Sequence, residues 1–152
     1  LKTGTLNSRR VVMRQALAMA VIMMGLATAT GNLWVTEHAE LDHQIHAMRS
    51  FYGLAPIPED GQLTDLATEH SWRMARAQQI FHSTEVQMAG SPEPWETIGQ
   101  TVGKGSRIWL VVRAFMDSPT HRELILGDWT TVGYGHIRAA DGNVYVTVWF
   151  RK

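Results

Sequence analysis

Two runs near the C-terminus, "TTVGYGHI" (130–137) and "NVYVTVWF" (143–150), alternate apolar and polar or small residues and are separated by a segment containing Asp141-Gly142. Period-two alternation on both sides of an Asp-Gly turn specifies an antiparallel hairpin, because it fixes which side chains share a face and how the chain reverses. No other stretch limits the fold as strongly. Everything upstream reads mainly as helix, so strands late and helices early predict an α+β domain, with helices packed on an antiparallel sheet.

The helical segments follow from apolar spacing. In "TEHAELDHQIHAMRSFYG", Leu41, Ile45, Met48 and Tyr52 recur on one face, with Thr36 as the expected N-cap and Gly53 as the stop. The linker "LAPIPEDGQ" carries two prolines and Asp60-Gly61, which is turn chemistry. A second helix is expected from Leu63 to Ile80, with Leu63, Leu66, Ala67, His70, Met74 and Ala77 on its apolar face. The segment from Phe81 to Ser106 reads as loop, with one extended piece near Thr97 to Val102. Ser106 is placed to cap a third helix whose stripe is Ile108, Val111, Val112 and Phe115, and Ser118-Pro119 ends it. His121 follows at once, on a corner fixed by proline.

Charge divides the chain. The 152 residues carry no formal net charge, yet Lys2, Arg9, Arg10 and Arg14 precede residue 30 and no Asp or Glu does. Those arginines, the apolar run Ala16 to Ala27 and the small-x-small step Ala27-Thr28-Ala29 read as an export signal over 1–29, or as an uncleaved membrane anchor. Residues 30–152 are then a single domain. Leu1 in place of Met implies a fragment or an unusual start codon. The remainder is acidic and has no basic patch for nucleic acid. With no cysteine, stability comes from the core, and thiol catalysis and zinc–thiolate sites are excluded.

The order of "GLAPI…HSWRMA…FHS", "IGQTVGKGS", "FMDSPTHRELIL" and "VGYGH…GNVYVTVWF" resembles the bacterial branch of the CAP superfamily, the SCP domain of cysteine-rich secretory, antigen 5 and pathogenesis-related 1 proteins. The likeness runs from about Ile45 to Phe150. It implies a three-layer α-β-α sandwich with a central antiparallel sheet, and an exported location, secreted or held at the outer face of the cytoplasmic membrane. It also implies a cleft where two histidines and two acids meet and where some members hold a divalent metal such as zinc.

By motif position the histidines are His82 and His121, and both acids are replaced, by Gln100 in "GQT" and by Ser118. Neither replacement can take a proton from water or offset a metal's charge. The expected function is therefore an extracellular binding module for a cell-envelope ligand, lipid or protein, with weak zinc binding at His82/His121. Two alternatives remain: a metal-dependent hydrolase of extracellular peptide or cell wall, and a lipid or sterol carrier. No catalytic residue is assigned, and membrane contact is expected only through the N-terminal segment.

Other polar residues have plainer roles. His82 and His121 themselves are compatible with satisfying buried backbone groups. His70 reads as a core or cleft-edge histidine, and His38, His43 and His46 as a solvated helix face. Ser83 and Ser118 lie near the histidines, but no orienting acid or oxyanion hole accompanies them. Arg122 and Glu123 read as loop anchors, and Glu96 is too far along a strand to replace the missing acid. Of the six tryptophans, Trp72, Trp109, Trp129 and Trp149 are expected mostly in the core, and Trp34 and Trp95 at the surface.

Overall fold

The computed structural model describes residues 32–84 and 95–152; the export segment expected over 1–29 lies outside them. The layers and the core described below belong to the unit Glu37–Lys152. Among the described residues no helix is long and apolar enough to cross a membrane.

Among the described residues seven elements follow in order. Helix α1 covers 32–51, α2 Gly61–Ala77, strand β1 Ile98–Gly105, α3 Ile108–Asp117, α4 Pro119–Ile125, β2 Thr131–Arg138 and β3 Val144–Arg151. The expected hairpin is β2–β3, and β3 is the central strand of a sheet ordered β1-β3-β2, antiparallel throughout. Every residue of β3 is buried. Val144, Val146, Val148 and Phe150 pack with Leu41 and Ile45 of α1, Val111, Val112 and Phe115 of α3 and Ile125 of α4. Their neighbours Tyr145 and Trp149 face α2, against Met74 and against Leu63 and Ala67. The sheet is thus covered on both faces, giving three α-β-α layers.

Two glycines set how closely α2 lies on β2. A Cβ on Gly133 would stand 2.3 Å from the carbonyl carbon of Leu63, and one on Gly135 would stand 2.0 Å from that of Ala67. The helix backbone therefore rests directly on the strand. Ser71 of α2 also donates to the Thr147 hydroxyl of β3 at 2.9 Å.

Caps and boundaries depart from expectation in several places. Thr36 lies inside α1 and bonds back to the Asn32 carbonyl, so it is no N-cap. Tyr52 falls just past the helix and is exposed, and Arg49 takes the buried position on that face. Gly53 does end the helix region, with φ +73°. Helix α2 starts two residues early because the Asp60 carboxylate accepts from the Gln62 and Leu63 N–H groups, and it ends at Gln78 in the left-handed region. Ser71 and Ala75 are buried in place of Ala77. Arg107, not Ser106, precedes α3, without a side-chain cap. Trp149 is core and Trp129 stacks on Phe150, but Trp72 and Trp109 are exposed, with Trp72 lying under the Arg76 guanidinium.

Candidate functional site

The corner at Ser118-Pro119 is the hinge between two helices. Ser118 closes α3 through its N–H, and Pro119 opens α4 at a position where its missing N–H costs nothing. His121 therefore sits in the first turn of a seven-residue helix. So short a helix needs outside support. Arg49, buried in α1, donates to the Ile125 and Gly127 carbonyls at 2.8 Å each and to Ala55 at 2.9 Å, and the Trp129 indole donates to Leu124 at 2.6 Å. The bonds to Leu124 and Ile125 occupy carbonyls that the C-terminus of α4 leaves open. Nothing in the sequence marked Arg49, which reads as one more charged residue on a helix.

His82 comes from the segment after α2. Its ring centroid is 6.5 Å from that of His121, with planes inclined at 44°. His121 also packs edge-on against Phe115 at 5.2 Å. Burial, helped by a nearby His82, holds His121 below the usual imidazole range. At neutral pH its ring is thus uncharged and has a lone pair to offer.

Gln100 is 8% exposed, and both its side-chain oxygen and its amide nitrogen are hydrogen-bonded. Its side-chain oxygen accepts from the Ser83 N–H at 2.9 Å and meets His82 Nδ1 at 3.1 Å, while its amide nitrogen donates to Ser83 Oγ at 2.7 Å. Ser83 Oγ in turn lies 3.1 Å from His70 Nδ1, and His70 Nε2 lies 2.7 Å from the Phe81 carbonyl. His70 is completely buried, and desolvation pushes it below its ordinary value despite the bond to Phe81. The structure thus brings together His82, Gln100 and His121, and adds His70 and Ser83 behind them. Ser118 differs: its backbone joins α3 to α4, and its side chain makes no capping bond.

Zinc–nitrogen bonds of about 2.0–2.1 Å at a tetrahedral angle place two imidazole centroids about 5 Å apart. The observed 6.5 Å means the ring centroids must close by about 1.5 Å to share one ion. Among the described residues no group of three His, Asp or Glu is placed to hold a metal. Two imidazoles suit zinc by donor type but leave half of a tetrahedral shell to water.

The other histidines are not a simple solvated face. His43 is exposed, but His46 turns inward to the Ile57 backbone and the Tyr134 hydroxyl, and His38 pairs with Glu59. Glu96 is held by its backbone N–H on the Lys152 carbonyl, and Trp95 beside it is 39% exposed.

A buried antiparallel sheet between helical layers, with paired histidines where α4 approaches the segment after α2, is the layout of an SCP domain. The family model described as the cysteine-rich secretory protein family, CAP, matches residues 43–150, and the chain belongs to that family. Similar solved structures include an outer surface protein of Borrelia burgdorferi, with TM-score 0.69, 21% identity, and 77% of this chain and 92% of that one covered. A cysteine-rich secretory protein of Staphylococcus aureus gives TM-score 0.63 and 21% identity over 76% of this chain and 38% of that one. An extracellular SCP-domain protein of Bacillus anthracis gives TM-score 0.62 and 18% identity over 77% and 41%. The chain thus corresponds to about two fifths of the length of these last two proteins. No curated protein matches it in sequence.

Proposed function

We propose that this chain works outside the cytoplasmic membrane as a binding module of the bacterial envelope, and that its His82/His121 cleft takes a divalent cation weakly. The location is supported by the export pattern of the sequence and by the surface and extracellular descriptions of the Borrelia and Bacillus relatives. The cleft reading rests on one observation: the position beside His82 carries an amide whose oxygen and nitrogen are both committed to hydrogen bonds with Ser83 and His82. Such a group orients an imidazole but cannot serve as a general base. Binding therefore fits the site better than hydrolysis.

Calorimetric titration of the full chain with zinc at pH 7 tests this. Weak one-site binding that either His82→Ala or His121→Ala removes is the expected result. Absence of heat in the unmodified protein, or binding that survives both substitutions, would overturn it.

A further inference from the structure

The hydrogen bonds behind His82 run in one direction only, and that direction can be read from groups whose roles are fixed. The Phe81 carbonyl can only accept, so His70 Nε2 carries a hydrogen and donates to it at 2.7 Å. A neutral His70 then has a bare Nδ1, which accepts the Ser83 hydroxyl hydrogen at 3.1 Å. With its hydrogen so used, Ser83 Oγ accepts at 2.7 Å from the group at Gln100 Nε2. The other end of that amide faces the Ser83 backbone N–H at 2.9 Å, which can only donate, so it must be the oxygen. Two independent anchors therefore agree on one orientation of Gln100, a choice that is otherwise ambiguous for an amide. The oxygen then meets His82 Nδ1 at 3.1 Å, and this contact is a bond only if Nδ1 bears the hydrogen.

We propose that His70, Ser83 and Gln100 form a directional positioning relay that holds His82 as its Nδ1–H tautomer, presents Nε2 as the cleft's ligating nitrogen, and couples the amide at position 100 to a neutral His70. His70 and Ser83 are positioning residues: they act on His82 through Gln100. The relay deepens the cleft reading above, but it concerns hydrogen positions that exist without any bound ion.

The coupling follows from replacing the amide by a carboxylate. Glu at position 100 still accepts from the Ser83 N–H and from His82 Nδ1–H, but it has no hydrogen for Ser83 Oγ. The serine hydroxyl then turns its own hydrogen to the carboxylate. His70 Nδ1 is left facing an oxygen lone pair in a buried site, an arrangement that costs the desolvation of both groups. Its bond to Phe81 keeps the Nε2 hydrogen in place, so the relief is a second hydrogen on Nδ1. The charged groups bearing on His70 are Arg73 and Glu69 on its own helix and His82 beyond the relay. Arg73 and Glu69 are untouched by this substitution, while His82, bonded to position 100, gains a carboxylate partner and is read in the same spectra. An acid at position 100 and a cationic His70 go together, as do Gln100 and a neutral His70.

Long-range proton–nitrogen NMR of the metal-free, ¹⁵N-labelled full chain at pH 7 reads these states directly. The unmodified protein should show His82 protonated on Nδ1 and bare on Nε2, and His70 protonated on Nε2 and bare on Nδ1. Gln100→Glu should protonate both nitrogens of His70. Adding Ser83→Ala to Gln100→Glu should return His70 to neutral, because the link is cut. Finding His82 protonated on Nε2 in the unmodified protein would overturn the relay without any variant, and a neutral His70 in folded Gln100→Glu would overturn the coupling. A failed zinc titration would leave both results standing, since no metal is present here.

Discussion

Gly135→Ala isolates the closest approach in the fold. The added methyl would lie 2.0 Å from the Ala67 carbonyl carbon, 2.1 Å from its oxygen and 2.4 Å from the Thr68 nitrogen. All three are helix backbone, so no side-chain rotation relieves the overlap. Restoring ordinary contact requires α2 to lift from β2 by about 1.4 Å, and overpacking even against adaptable side chains costs about 1–3 kcal/mol. The lift also stretches the Ser71–Thr147 bond of 2.9 Å and the bond from the Tyr134 N–H to Thr64 Oγ1 of 3.2 Å. Each contributes about 1 kcal/mol. The expected loss is about 3–5 kcal/mol, a large share of the roughly 5–15 kcal/mol typical of a domain. Urea unfolding followed by tryptophan fluorescence measures it. Gly61→Ala is the control, because a Cβ there meets nothing within 4 Å. It should be neutral or stabilise by up to about 1 kcal/mol through the unfolded chain. A loss below about 1 kcal/mol in Gly135→Ala would refute direct backbone-on-strand packing.

Three further outcomes are expected. Asp60→Ala removes the α2 cap and the partner of buried Arg151, whose Nη2 bonds the carboxylate at 2.6 Å, so about 2–4 kcal/mol should be lost in the same urea assay. Arg49→Met leaves the Ala55, Ile125 and Gly127 carbonyls without their donor; a loss of about 3 kcal/mol and shifted His121 resonances should both appear in denaturation and NMR. Acidification should weaken the fold in two windows. His70 and His121 lie below the ordinary histidine value of 6.5, so the unfolded chain binds protons first and stability declines as pH falls past it. Asp60 is held below the ordinary 3.8, chiefly by the Leu63 N–H, so its contribution is present above that value and fades as pH falls further. Stability measured from pH 7 to 3 should decline in both windows, and His70→Phe should flatten the upper one.

Where periodicity and turn chemistry act locally, the sequence was readable. The hairpin, the α3 stripe and the halt at Gly53 all rest on residues within a few positions of one another. What misled were competing partners brought by the fold. Thr36 has the right chemistry for a cap but bonds to its own helix, and Asp60, read only as a turn residue, takes that role for α2 because Arg151 of β3 holds it there. Trp72 and Trp109 fit an apolar reading by type, yet they stand on the outward faces of their helices. At the candidate site, motif order singled out His82, Gln100 and His121, three side chains that the fold places beside one another. The support behind them was not legible, since Arg49 lies 76 positions from the Ile125 carbonyl it holds, and Ser83 and Gln100 are 17 apart. Direction in a hydrogen-bond chain depends on which nitrogen meets which oxygen, and composition and spacing carry no trace of that.

The most direct test of the cleft is a crystal of the full chain grown with zinc, with anomalous diffraction recorded at the zinc edge. A single anomalous peak bonded to His82 through Nε2 and to His121, with Gln100 still on Nδ1, is the predicted result. A peak elsewhere, or none between the two rings at saturating zinc, would contradict the assignment of these histidines as one binding unit.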